Sequence, residues 1–377
     1  MQLSKRFTIV LTATLLVFGF SESRAQIVYG QPASGKLRLV YTHWNTEDDS
    51  GSADVNQLAI PLNAFFPLSN DFELRFHAAD VSSKVAIDSG DSKLSGLGDL
   101  RLQLNRSLAD DRLLLSLGLN LPTGKQKLNS GRELVVMNYL SENYLSFPVR
   151  RLGEGFGFNL LLGGAVSRGS SRLGATAMFQ YSGAYEPFEG RGDYDPGESF
   201  SLSATADTRT GGSLLSAGLS VTFFAVDKID EAKFRKSSTQ FDLWTGVDIP
   251  GQKVSGSGGI HLLLRGRQTA YDLDEEIFEQ LRLYGNELTL SGALSYHPAQ
   301  KWSVTPSLQL RIIGGNEYSD YRRQDGGTIF GIGSDFARAL GERLDARLGL
   351  QYFTGNADGG DISLSGYQLT AGLAAEF

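Results

Sequence analysis

Segments of about ten residues in which apolar and polar side chains alternate recur along the whole chain, and no other feature limits its folding choices as much. Residues 112–121 place Leu113, Leu115, Leu117, Leu119 and Leu121 on one face, with Arg112, Ser116, Gly118 and Asn120 on the other. Residues 287–297, 303–312 and 343–352 repeat the pattern, the last with Leu344, Ala346, Leu348, Leu350 and Tyr352 against Arg343, Asp345, Arg347 and Gln351. A period of two with one apolar face is a half-exposed β-strand. About ten residues is also the length a tilted strand needs to cross a bilayer. A soluble β-sandwich shows the same period, so alternation alone leaves both architectures open.

Connection lengths separate them. Short polar turns fall at 68–70, 109–111, 167–171, 209–212, 251–253, 298–301 and 341–342. Longer, more charged connections fall between these, near 45–54, 81–95, 122–153, 186–196, 227–236, 271–284, 316–326 and 355–362. Short turns at one rim and long loops at the other are the pattern of an outer-membrane barrel. The count predicts an all-β fold, a transmembrane antiparallel β-barrel of about sixteen strands, with both termini on the short-turn, periplasmic side. If residues 26–68 formed a plug, the count would drop to about fourteen. Residues 133–149 break the alternation if read as a strand, so a helix or hairpin folded over the mouth is expected within a large extracellular loop at about 122–153. Residues 273–283, rich in Asp, Glu and Leu, also read as helical within a loop.

Both chain ends agree with export to the outer membrane. Lys5 and Arg6 precede an apolar run from Phe7 to Phe20, and Ser23-Arg24-Ala25 places small residues before Gln26. Residues 1–25 therefore read as a secretory signal peptide and 26–377 as the barrel. The last strand alternates to a terminal phenylalanine, and Thr370, Gly372, Ala375 and Phe377 resemble the C-terminal insertion signal read by the barrel-assembly machinery. The chain has no cysteine, which excludes disulfides and thiol chemistry. Its net charge of −7 argues against nucleic-acid binding.

A charge on the lipid face near the bilayer midplane costs about 2–4 kcal/mol, so charged faces must look inward. On that assignment the lumen and solute path receive Arg38, Arg75, His77, Arg101, Arg112, Trp244, His261, Arg265, Arg267, Arg311, Arg343 and Arg347. Acidic residues on the same faces include Glu73, Asp99, Asp242, Asp248, Glu287 and Asp345. Arginine forks suit carboxylate-bearing solutes; pairing of these charges across strands, merely filling the barrel, is the other reading. Aromatic residues near strand ends, such as Tyr41 and Trp44 or Tyr352 and Phe353, suit interface girdles. Inward-turning ones (Trp44, Trp244, Phe353) alternatively suit a hydrophobic solute. The four histidines lack metal-ligand spacing, so no metal, cofactor or catalytic group is expected.

Gly96-Leu97-Gly98-Asp99-Leu100 and Leu119-Asn120-Leu121-Pro122-Thr123-Gly124-Lys125 together resemble a signature of outer-membrane transporters of the phenol and toluene meta-pathway group, related to FadL-like channels. The likeness covers residues 96–125. It implies a monomeric barrel taking up hydrophobic or aromatic compounds; FadL-like barrels carry an N-terminal plug, for which the segment before Leu37 is too short. The expected activity is passive passage of small hydrophobic or amphipathic organic solutes, with outer-membrane lipid and lipopolysaccharide as surroundings. A structural or adhesive role through the loops, or lipid hydrolysis at His77 or His261, are the alternatives.

Overall fold

The computed structural model describes residues 32–377 except 50, 273, 300 and 319–323. The expected signal peptide lies outside the described residues. In chain order the elements are β1 (Ser34–Asp48), β2 (Gly51–Pro67), β3 (Phe72–Ile87), β4 (Gly90–Leu97), β5 (Leu100–Leu108), β6 (Leu113–Leu121) and the helix α1 (Gly131–Ser141). Then come β7 (Gly157–Arg168), β8 (Ser171–Ser182), β9 (Tyr194–Asp195), β10 (Ser199–Thr210), β11 (Ser213–Phe224), β12 (Val226–Ile229), β13 (Ala232–Lys236) and β14 (Gln240–Ile249). The chain ends with β15 (Val254–Arg265), β16 (Gln268–Tyr271), β17 (Ile277–Leu281), β18 (Glu287–Ala299), β19 (Trp302–Gly314), β20 (Gly326–Ala339), β21 (Leu344–Ala357) and β22 (Ile362–Glu376).

The long strands form one antiparallel wall of 16 positions that closes where β1 pairs β22, with Leu37 opposite Leu373 and Trp44 opposite Gly366. Closure leaves no sheet edge in the lipid, the condition for β-structure to span a membrane. β4 and β5 share one position beside β3, interrupted at Gly98-Asp99, where Gly98 N donates to Ala79 O at 2.7 Å. β6 pairs only with β5 on that side, so α1 packs beside β4.

The two-residue period sorts the side chains. Leu113, Leu115 and Leu117 on β6, Leu348, Leu350 and Tyr352 on β21, and Leu369 and Leu373 on β22 are exposed on the outer surface. Ser116, Ser201, Ser203, Ser220 and Asp242 are buried on the inner one. So broad an apolar exterior is unfavourable in water and favourable in hydrocarbon. The position of β1 and β2 in the wall removes the fourteen-strand alternative with residues 26–68 as a plug.

Three expectations change. The connections at 45–54, 81–95 and 355–362 are largely strand, because β1–β2, β3–β4 and β21–β22 continue as paired hairpins. Residues 274–283, expected to be helical, are not. Asp272 Oδ1 accepts from the backbone N of Asp274 (3.0 Å) and Glu276 (2.9 Å), Glu275 adopts φ 60°, and the chain returns as β17 against β16. The acidic residues thus build a turn of the kind that competes with helix. Finally, β9, β12, β13, β16 and β17 form a separate five-stranded sheet contributed by three loops.

Candidate functional site

The site is the lumen together with the segment that enters it. Ser130 caps α1 by accepting from Glu133 N (3.3 Å), while the Glu133 carboxylate accepts from Asn129 N (2.8 Å) and pairs with Lys125. The Ser-x-x-Glu spacing is that of a capping box, with Glu133 reaching the N–H one residue before the cap rather than that of Ser130. Burial pushes the Glu133 pKa up, but the hydrogen bonds from Lys125 and Asn129 outweigh it and hold it below the ordinary value. Leu128, Val136, Leu140, Leu145, Phe147 and Leu152 then pack with inward residues of the wall: Trp44, Val55, Val81, Val85, Leu94, Ile313, Ile329, Phe353 and Leu364. Trp44 stacks on Phe353 at 5.2 Å, and both are buried in this cluster. They hold the inserted segment and belong to no interface girdle.

Polar contacts fasten the segment at three places. At its ends, Asp99 Oδ1 accepts from Gly124 N (2.9 Å), and Oδ2 accepts from Glu154 N (2.7 Å) and Asn120 Nδ2 (2.8 Å). Thr123 Oγ1 accepts from Leu100 N at 2.9 Å. A Cβ on Gly124 would lie 2.0 Å from Leu152 O, so the close approach requires glycine here. The Gly98-Asp99 and Pro122-Thr123-Gly124 motifs are therefore the clamp that folds residues 122–156 inward. In the middle, Gln57 on β2 donates from Nε2 to Val149 O (2.7 Å) and accepts from Val149 N (3.0 Å), reproducing a strand-like pair from a side chain. On β19, Arg311 donates to Asn143 O (2.9 Å) and to Ser146 Oγ.

Arg38, Arg75, His77, Arg101, Trp244, His261, Arg265, Arg311 and Arg347 occupy inward strand positions by register. Three others do not. Arg112 and Arg343 lie in the short turns, and Arg267 lies beyond β15, where it pairs with Glu317 at 2.9 Å. Each continues the parity of its strand, but the strand ends before reaching it. Inward charges are partly paired: Arg75 with Glu73 (2.8 Å), Arg265 and Arg311 with Glu287 (2.7 and 3.2 Å), and His261 Nε2 with Asp242 (3.0 Å). His77 Nδ1 meets Asn63 Oδ1 at 2.8 Å. Thr370 and Gly372 face inward on β22, Ala375 and Phe377 outward, and Phe377 N donates to Ala33 O at 2.8 Å.

Sequence reasoning missed Gln57, Val149 and Arg150, and gave Asp99 no role beyond lining the lumen. The paired glycine motifs around Asp99 were the available signal; nothing local marks Gln57. Burial, with the like charges of Arg311 and Arg265, lowers the Arg150 pKa, yet a guanidinium stays protonated in proteins.

A closed wall of 16 strands with an apolar exterior and a polar, loop-entered interior defines a transmembrane β-barrel of the outer-membrane class. No family model matches the chain, and no curated protein matches it. Solved structures give distant likenesses. OprD of Pseudomonas aeruginosa has 10% identity and a TM-score of 0.45, covering 95% of this chain and 99% of its own. An outer membrane channel from Pseudomonas putida F1 has 11% identity and a TM-score of 0.41, covering 95% and 100%. The CymD monoaromatic hydrocarbon channel has 11% identity and a TM-score of 0.41, covering 92% and 89%.

Proposed function

We propose that the protein is a passive channel of the outer membrane for small hydrophobic or amphipathic organic solutes, with the long loops outside and residues 122–153 as its constriction. The observation that carries this reading is the polar inner face of the closed wall. Across from the inserted segment, β8, β10, β11 and β14 turn serine, threonine and aspartate inward. Three buried polar atoms there, Ser216 Oγ, Ser220 Oγ and Asp248 Oδ1, have no hydrogen-bond partner among the described residues. Buried polar atoms without a protein partner suit an interior that holds internal water, which a polar lumen supports. The resemblance at 96–125 supports the choice of hydrophobic or aromatic solutes, although the element that narrows this lumen is an internal loop.

Liposome swelling tests the reading. Proteoliposomes should admit small aromatic solutes, and faster when residues 125–152 are replaced by a short linker. No flux of any solute in either form would refute it. A second reading, adhesion through the loops, draws on Phe234, Ile277 and Phe278, which are exposed on the five-stranded loop sheet. Lipid hydrolysis has less behind it: His261 is bonded to Asp242 and His77 to Asn63, as an oriented base would be, but among the described residues neither bonds a serine hydroxyl that could act as nucleophile. A His77→Gln, His261→Gln double variant that lost a lipase activity of the parent would restore it.

A further inference from the structure

At the short-turn rim the outer surface of the wall places a guanidinium among apolar side chains. By register, one outward row runs Trp302, Arg338, Ala346, Leu373, Leu37 and Leu62 across β19, β20, β21, β22, β1 and β2. The three leucines are exposed on the lipid side. The adjoining row toward the turns, Leu344, Ala375, Gly35 and Ala64, carries no charge. Arg338 is exposed, and its guanidinium lies over the Trp302 ring at 4.4 Å, while Phe336 packs against the same indole at 4.8 Å. Among the described residues Arg338 makes no hydrogen bond and no ion pair, Glu342 of the neighbouring turn included.

A second cross-strand pair on the same surface has the same geometry with one difference. On β5, Arg106 lies over the Phe72 ring of β3 at 4.8 Å, and its other neighbour in the row is the exposed Leu115. There Asp71 supplies an acid at 3.7 Å. Arg338 has the aromatic platform and lacks the acid. Lys301, whose carbonyl accepts from Ala339 N at 3.0 Å, adds a further exposed cation at the same rim. A charge facing hydrocarbon is unfavourable unless it reaches the headgroups and pairs there. Indole rings sit at that level, so the stack on Trp302 holds the guanidinium where lipid phosphates lie.

We infer that Arg338 and Trp302 form a binding site for a glycerophospholipid, with the guanidinium ligating the phosphate and the acyl chains lying on Phe336 and Leu348. Those two side chains pair in the next outward row toward the bilayer centre, and Leu348 is exposed. An open guanidinium fork matches two phosphate oxygens with parallel hydrogen bonds, which an uncharged glyceride cannot accept. Short turns face the periplasm in barrels of this class, so the site draws its lipid from the periplasmic leaflet. It stands on the lipid side of the wall and is independent of what passes through the bore.

Native mass spectrometry of the full barrel in detergent, loaded with dioleoylphosphatidylglycerol or with dioleoylglycerol, tests this. The parent should retain the phosphatidylglycerol in preference to the uncharged glyceride. Arg338→Gln should lower that occupancy about tenfold. Arg338→Lys keeps the charge but loses the fork and should fall between. Arg106→Gln should match the parent, because Arg106 already has Asp71 as its partner. Trp302→Leu keeps the guanidinium but removes its platform and should also weaken retention, which keeps the test decisive if Arg338→Gln fails to assemble. Unchanged retention in Arg338→Gln, or in Trp302→Leu where only that variant assembles, overturns the inference. So does an equal loss in Arg106→Gln, equal retention of the two lipids by the parent, or displacement of the bound lipid by inorganic phosphate.

Discussion

Asp99→Asn should release the inserted segment while leaving the barrel wall intact. Both carboxylate oxygens are in use, Oδ1 by Gly124 N and Oδ2 by Glu154 N and Asn120 Nδ2. The amide is nearly isosteric, so packing is preserved. With its remaining oxygen on the two-donor side, the new NH2 faces the Gly124 N–H, donor against donor. One hydrogen bond to a charged acceptor is lost outright, at about 1.5–3 kcal/mol, and the other two lose their charge assistance. A total near 3 kcal/mol changes the ratio of docked to undocked segment by roughly 150-fold. The wall pairs of β3 with β5 and β5 with β6 do not involve this side chain and should keep the barrel's thermal stability unchanged. Limited trypsin digestion reads the docked fraction, since Lys125, Lys127, Arg132, Arg150 and Arg151 all lie in the segment. Cleavage there should accelerate by about two orders of magnitude if opening is fast relative to cutting, and single-channel traces should become noisier and more conductive. A cleavage rate within about twofold of the parent would refute the clamp.

Gly124→Ala should loosen the same segment as strongly in the same digestion, because the added methyl meets the Leu152 carbonyl at 2.0 Å and no side-chain rotation relieves a clash with backbone. Arg311→Gln leaves Glu287 with Arg265 alone and frees residues 143–146 of the inserted segment, so conductance should rise while the intact-barrel gel mobility stays unchanged. Glu133 ties its cap to pH: its carboxyl is held below the ordinary 4.5, so its stabilisation is complete above that value and is lost as pH falls through the lowered one. Hydrogen exchange at residues 129–134 should therefore lose protection as pH falls below 4.5 and through the lowered value, and Glu133→Gln should abolish the dependence. Deleting Phe377 should lower the yield of assembled barrel in the outer membrane without lowering the melting temperature of what assembles. Its exposed ring contributes little to the folded wall, so a matching loss of stability would argue against a role in assembly alone.

The alternation at Leu113–Leu121 or Leu344–Tyr352 is a local property of consecutive residues, because each strand must present one face to lipid. Strand alternation and inward faces were therefore legible before any coordinates; residues 133–149 read as a helix or hairpin over the mouth, where the structure has the helix α1 packed inside the wall. The same parity misplaced Arg112, Arg267 and Arg343, because a period carries no mark of where pairing stops. Aromatic clustering near strand ends likewise did not reveal that Trp44 and Phe353 stack inside the lumen.

The sequence by itself determined a closed antiparallel barrel of about sixteen strands, since only that architecture satisfies so many half-apolar strands and their backbones in a membrane. Tertiary structure alone decided what fills it. Gln57 meets Val149, Arg311 meets Asn143 and Asp99 meets Glu154 across separations of 92, 168 and 55 residues. Contacts at such range leave no periodic trace in the chain. They form only when the closed wall brings distant strands around the same segment, which then fills part of the lumen.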